Sequence, residues 1–460
     1  MQVSRRRQGR RPDKEVVPVK QRRMVAGGAF ALTAALLVSA CSGGSDSSGS
    51  SSEEVDTAPK GEGQTLTIWH YENDASAMGI AWEKAMEKFT AETGAKVDFQ
   101  LKSFEQINTS ASQVLNSDAA PDVMEYNKGN ATSGLLSSQG LLTDLNGAVE
   151  AYGWEDKLAP SIQTTAKYSD LGVMGSGNYY GVPNYGEYVQ VYYNKELFEE
   201  NGLEVPTTLD EFTQVLEAFK AKGITPLAES ATEYPLGQLL YQLALTKADR
   251  QWVTDYQTYT APADFHDEAW TYAATTLKEW VDKGYISKDS TGLKAQDVGD
   301  AFIAEKYPIF FSGSWWYGTF TTDAKFDWGT FLFPEAKLSP GSSGNLWVVP
   351  ENSDAKDLAY KFIDITMSPE IQNLLGNNGG IPVAAEESAI EDEKSKELIQ
   401  NFNTLTEQDG LAFYPDWPAP TFYADLNSSL QELVNGTKSV DEALDQMQAD
   451  YDKGIKEIAG

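Results

Sequence analysis

Residues 179–198, YYGVPNYGEYVQVYYNKELF, constrain the fold more than any other stretch of the chain. Alternation over 188–193 puts Tyr188, Gln190 and Tyr192 on one side of a strand and Val189, Val191 and Tyr193 on the other. Pro183 has no amide hydrogen and does not belong inside a central strand. The chain therefore changes direction across 183–187, between an extended Gly-Val-Pro segment and the strand. Asn194-Lys195-Glu196-Leu197-Phe198 reads as a turn into a short helix. Two arrangements satisfy this pattern: a crossover between two lobes, or one strand of a single domain with a bulge at its glycine. A chain of 460 residues is longer than one hydrophobic core usually serves, which favours two lobes.

The first 41 residues differ from the rest. A basic segment holding Arg5–Arg7, Arg10, Arg11, Lys14, Lys20, Arg22 and Arg23 precedes an apolar run over 24–38, too short for a stable membrane span and suited to a signal peptide. It ends in Val38-Ser39-Ala40-Cys41, small residues before a cysteine in the manner of a bacterial lipobox. The other reading is an ordinary cleavage site with an incidental cysteine. Cys41 is the only cysteine, and a Ser/Gly-rich tether over 42–62 follows it, so lipidation at Cys41 is the expectation. Arg22-Arg23 leaves open whether export is general or twin-arginine.

Taking the nine basic and two acidic residues of 1–41 from totals of 36 and 68 leaves 27 and 66, a net charge of −39 for the mature part. Such a surface repels nucleic acid and anionic membrane, so neither is an expected partner except through the lipid anchor. With no cysteine beyond Cys41 and two histidines in all, disulfides are excluded and a transition-metal site or other cofactor is not expected.

Along the mature chain, strands alternate with helices. Residues 66–70 read as a strand, 78–89 as a helix stopped by Gly94, 97–101 as a strand, 104–115 as a helix and 121–126 as a third strand. This is the pattern of βαβ units and a mainly parallel sheet, in which ligands sit beyond the carboxyl ends of the strands. Those ends are Tyr71, Asn73 and Asp74, and then Tyr126, Asn127 and Asn130. Thr208 and Glu211 form a capping-box pattern. Further helices are expected around 236–245, 269–283, 298–305, 355–366 and 371–375, and strands at 307–311 and 328–333. Residues 346–350 are extended and suggest a second crossover, 377–382 a third, and 424–458 reads as amphipathic helix.

LTIWH (66–70), FTAETGAKVDF (89–99), APDVMEYN (120–127), the long run from Gly181 to Phe212, FFSGSWW (310–316), WVVPENS (347–353) and AYKFIDITMSPEIQ (359–372) occur in an order and spacing that resemble the sugar-binding lipoproteins of ATP-driven importers, the maltodextrin-binding-like solute-binding proteins. Two departures stand out. Glu305-Lys306-Tyr307-Pro308-Ile309 replaces a glycine-lysine-small-small-methionine run, and Ser343-Gly344-Asn345 replaces paired glycines. The resemblance implies an α/β, two-lobe periplasmic-binding-protein-like fold with hinge crossovers and a ligand cleft between lobes. The N-terminal lobe would take 63–185 plus 346–383, and the C-terminal lobe 186–345 plus 384–460. It further implies that the protein is not an enzyme, acts as a monomer on the outer face of the cell membrane, and hands a carbohydrate, on its aromatic content an oligosaccharide, to importer permease subunits.

Sugar rings stack on flat aromatics, and their hydroxyls need paired donors and acceptors. Trp315 matches the tryptophan on which the family stacks a sugar, and Tyr234 an aromatic used likewise; each is otherwise a core aromatic. Tyr185 and Glu187 lie at the first crossover, Asn345 at the second, and Trp417 in a Pro-flanked loop. With Tyr71, Asn73, Asp74, Tyr126, Asn127 and Asn130 they make up the candidate ligand-binding set. Helix capping competes for the residues after the first strand. Two alternatives stay open: a polyamine or other organic cation held by acids and an aromatic cage, and a surface glycosidase, for which no sequence motif marks a carboxylate pair.

Overall fold

The computed structural model describes residues 54–385 and 387–459. The signal segment, Cys41 and the tether up to residue 53 lie outside the described residues.

The first sheet begins as the alternation of elements predicts. Thr65–His70 (β1) and Lys96–Leu101 (β2) flank the helix Ala77–Thr93 (α1), and Phe104–Leu115 (α2) leads to Val123–Tyr126 (β3). Strand β1 lies between β2 and β3 and is parallel to both. The cap of α1 is Ser76, whose hydroxyl accepts from the Gly79 amide, and Gly94 ends the helix at φ 77°. Helix α1 buries Met78, Ala81, Trp82, Ala85 and Phe89, and the Trp82 ring meets Trp347 edge-on at 5.4 Å.

The 179–198 stretch belongs to two sheets, which rules out the single bulged strand. Val182–Pro183 (β4) is an edge strand of the first sheet, where a proline costs no ladder bond. Gly186–Asn194 (β5) is the longest strand of the second sheet and is almost wholly buried, so both its faces are covered. It pairs antiparallel with Ile309–Gly313 (β7), which runs parallel to Leu227–Ala228 (β6). On its other side β5 pairs with Trp328–Phe331 (β8) and, nearer its start, with Gly341–Ser343 (β9), both antiparallel. The chain returns to the first sheet as Leu346–Val348 (β10), antiparallel to β3 and β4. A third passage lies beside the first, where the Gly186 amide donates to the Ile381 carbonyl at 2.6 Å.

Helices pack around the second sheet and bury their apolar residues. Leu209–Ala221 (α3) carries the capping box of Thr208 and Glu211. Tyr234–Leu245 (α4) packs on Glu268–Asp282 (α5) and on Phe422–Asn435 (α6). The C-terminal helical region is two helices, α6 and Val440–Ala459 (α7), because Gly436 adopts φ 75° and closes the first.

Candidate functional site

The ends of β1 and β3, both crossovers, the start of α4 and the turn after β7 converge on one cleft of about 660 Å³, within the usual range for ligand pockets. Its lining includes Tyr71, Asn73, Asn127, Tyr185, Glu187, Tyr234, Trp315, Asn345 and Trp417 from the expected set. Asp74, Tyr126 and Asn130 are not in that lining. Asp74 is exposed. Tyr126 is the last residue of β3 and is buried in the core. Asn130 is fully engaged elsewhere: its amide nitrogen donates to the Gln257 carbonyl and the Tyr259 hydroxyl, and its oxygen accepts from the Met174 amide. Asn73 serves partly as a turn residue, its oxygen accepting from the Ala75 amide at 2.9 Å.

The floor of the cleft is a network that bridges both crossovers. Lys128 Nζ lies 2.5 Å from Glu187 Oε1, with both side chains almost fully buried, and donates to Asn345 Oδ1 at 3.3 Å. The Tyr185 hydroxyl donates to Glu187 Oε2 at 3.2 Å and accepts from Asn345 Nδ2 at 2.9 Å. Both Glu187 oxygens are therefore already engaged, and the residue serves first as the counter-ion of Lys128. The same ammonium stands 5.3 Å from the centre of the Trp417 ring and 5.6 Å from that of Tyr414. Trp417 itself is packed on the backbone of Gly129, which has φ 103° and no room for a side chain.

Two further carboxyls adjoin this floor, Glu72 in the cleft lining and Glu125 fully buried. Glu125, on β3, accepts from Asn184 Nδ2 at 2.9 Å, and burial pushes its carboxyl up to about 7. Burial also pushes Glu72 well above the ordinary carboxylate range, with the charges of Glu125 and Glu187 adding to the effect. His70, stacked on Phe99 with ring centres 3.6 Å apart, is lowered to about 4 by burial and is a neutral core histidine.

The walls are aromatic. Half-buried Trp315 meets Tyr234 edge-on at 5.7 Å, and its indole nitrogen donates to the Tyr234 hydroxyl at 3.3 Å. Trp316, its neighbour, turns into the core against Phe310 and Phe320. From the first-sheet side, Phe104 and Glu105 at the start of α2 face Tyr234 and Tyr423, and the Tyr423 hydroxyl donates to Glu105 Oε1 at 2.5 Å. The loop carrying Tyr414, Asp416 and Trp417 is bounded by Phe413 and Thr421, both at positive φ, a strained backbone of the kind that gathers at functional sites.

Sequence reasoning missed Lys128, Glu72, Phe104, Glu105, Tyr414, Asp416 and Tyr423. Lys128 stands within two residues of both Asn127 and Asn130, and its place after a strand end was the available signal. Among the described residues, no group of three or more His, Cys, Asp or Glu residues is placed to hold a metal ion. None of their helices is long and apolar enough to cross a membrane.

Residues 84–403 match the family of bacterial extracellular solute-binding proteins. The chain is 26% identical over 351 residues to the multiple sugar-binding protein of Streptococcus mutans, an alignment covering 74% of this chain and 80% of that protein. It is 25% identical over 335 residues to the diacetylchitobiose binding protein DasA of Streptomyces coelicolor, covering 70% of this chain and 73% of that one. Among solved structures, a chitin oligosaccharide binding protein superposes with a TM-score of 0.72 at 25% identity, covering 86% of this chain and 99% of that chain. The structural likeness establishes the two-lobe periplasmic-binding-protein fold. The match runs from within α1 to beyond the third passage between the sheets, so it takes in both crossovers and most of the cleft, and the chain belongs to the bacterial extracellular solute-binding protein family.

Proposed function

We propose that the protein binds an extracellular oligosaccharide in this cleft and delivers it to the permease of an ABC importer. The observation that carries the reading is the pairing of aromatic walls, Trp315 and Tyr234 with Phe104 and Tyr423, with a floor of fixed donors and acceptors, Lys128, Asn345 and Tyr185. Rings offer faces to the C–H surface of a sugar, and fixed polar groups match its hydroxyls at low ordering cost. The names of the relatives, multiple sugar-binding and diacetylchitobiose binding, agree with this reading. Tyr71, Asn73, Asn127, Glu187 and Trp417 complete the proposed contact set, and we assign the protein no catalytic step.

Lipidation of Cys41 would tether a monomer to the outer face of the membrane, and 63–185 plus 346–383 would move against 186–345 plus 384–460 about the crossovers. A thermal-shift screen of the mature protein against mono- and oligosaccharides and polyamines tests the reading, because a ligand that binds only the folded state raises its midpoint. Oligosaccharides should raise it. A rise with spermidine alone would assign the cleft to organic cations, and hydrolysis of a bound oligosaccharide would make the protein a glycosidase.

A further inference from the structure

One end of the cleft is short of donors. Glu105, Glu233 and Asp416 line it together with Tyr423, whose hydroxyl is held well above the usual phenol range by burial and by the charges of these carboxylates. Each of the two glutamates has one oxygen bound, Glu105 Oε1 by the Tyr423 hydroxyl and Glu233 Oε2 by the Ala295 amide, which leaves the second oxygen of each for another donor. The nearby cations are largely committed. Of the lysines that line the cleft, Lys128 is paired with Glu187, Lys102 sits over the Trp69 ring at 4.7 Å, and Lys294 is left, one cation beside three carboxyls. An independent observation points the same way. Gln238, on α4 and only 5% exposed, lines the cleft with its amide oxygen unpartnered. An unmatched buried acceptor destabilises the empty cleft until a ligand supplies the donor.

A group that answers several acceptors at once is an ammonium, which brings three donors, no acceptor and a charge that gathered carboxylates favour. The rings of Phe104, Tyr234 and Trp315 beside it offer π faces to the same cation. Building on the carbohydrate reading, we infer that the oligosaccharide this cleft selects carries a free, protonated amino group, held among Glu105, Glu233, Asp416 and Gln238. The corner correspondingly rejects uronic acids and other anionic sugars, because a ligand carboxylate would meet like charge.

The test is calorimetric titration of the mature protein, at a pH where sugar amines are protonated. The titrants are β-1,4-linked glucosamine oligosaccharides, their N-acetylated counterparts, glucose oligosaccharides of the same linkage and length, and spermidine. The free-amine oligosaccharide should bind at least tenfold tighter than the glucose one. That advantage should shrink at high salt and be largely lost in Asp416→Asn and in Glu105→Gln, each checked by its unliganded melting midpoint. Equal or tighter binding of the uncharged oligosaccharides would overturn this inference and leave the carbohydrate reading standing. Binding of spermidine with no saccharide bound, or of none of the four, would overturn both.

Discussion

Replacing Lys128 with methionine keeps most of the side-chain stem and removes the charge that Glu187 faces across 2.5 Å. At an effective dielectric constant of about 20, two unit charges at that separation attract by about 7 kcal/mol. Much of that attraction offsets the desolvation of the two ions, so the intact pair adds far less to stability than the attraction alone. Removing one partner strands the other, and breaking a buried pair costs about 3–5 kcal/mol. The side chains are 3% and 4% exposed, so solvent does not rescue Glu187. Unfolding entropy of about 2.1 cal/mol/K per residue over roughly 400 residues converts such a loss into a fall of about 4–6 °C in the melting midpoint. The assay is a melting comparison of wild type, Lys128→Met, Glu187→Gln and the double variant without ligand. The double variant should recover at least half of the loss of Lys128→Met, because it leaves no stranded charge. A single-variant loss below about 1 kcal/mol, as for an exposed pair, would refute the buried-floor account, as would a double variant no better than the sum of the two.

Gly129→Ala should cost about 2–4 kcal/mol, since the new methyl would lie 2.6 Å from Trp417 at a φ of 103°; an unchanged melt and near-ultraviolet circular dichroism would contradict the packing described. Glu125 rises from an ordinary value of 4.5 to about 7 on folding, so its contribution to stability is present below about pH 4.5 and is lost as pH rises through 7. The shift corresponds to roughly 3–4 kcal/mol. The unliganded protein should melt higher at pH 5 than at pH 8, and Glu125→Gln, in place among Tyr71, Glu72, Lys128 and Glu187, should flatten that slope; an equal slope in the variant would remove Glu125 as its source.

The crossover was legible because Pro183, Gly186 and the alternation of 188–193 are local signals that any fold must respect. The strand ends were legible for the same reason, since βαβ order fixes which end of a sheet faces a ligand. Lys128 was not, because its role comes from Glu187, 59 residues away, and Asn345, 217 away. Tyr414, Asp416 and Tyr423 reach the cleft from the C-terminal region by the third passage of the chain between the sheets; the Pro-flanked loop pointed to Trp417 but not to its neighbours Tyr414 and Asp416, and nothing local marks Tyr423. Asn130 shows the converse: the right residue at a strand end, drawn away by Gln257, Tyr259 and Met174. Strand ends give the neighbourhood of a site, and long-range pairing decides which side chains are free within it.

The central claim is that an oligosaccharide occupies the cleft against Trp315. Calorimetric titration of an oligosaccharide identified by thermal shift into wild type and Trp315→Ala tests it directly. Half-buried Trp315 can be truncated with little loss of core, so the unliganded melting midpoints should nearly coincide, while the variant binds at least tenfold more weakly, about 1.4 kcal/mol. Unchanged affinity together with a large fall in the midpoint would make Trp315 a core residue and contradict the account.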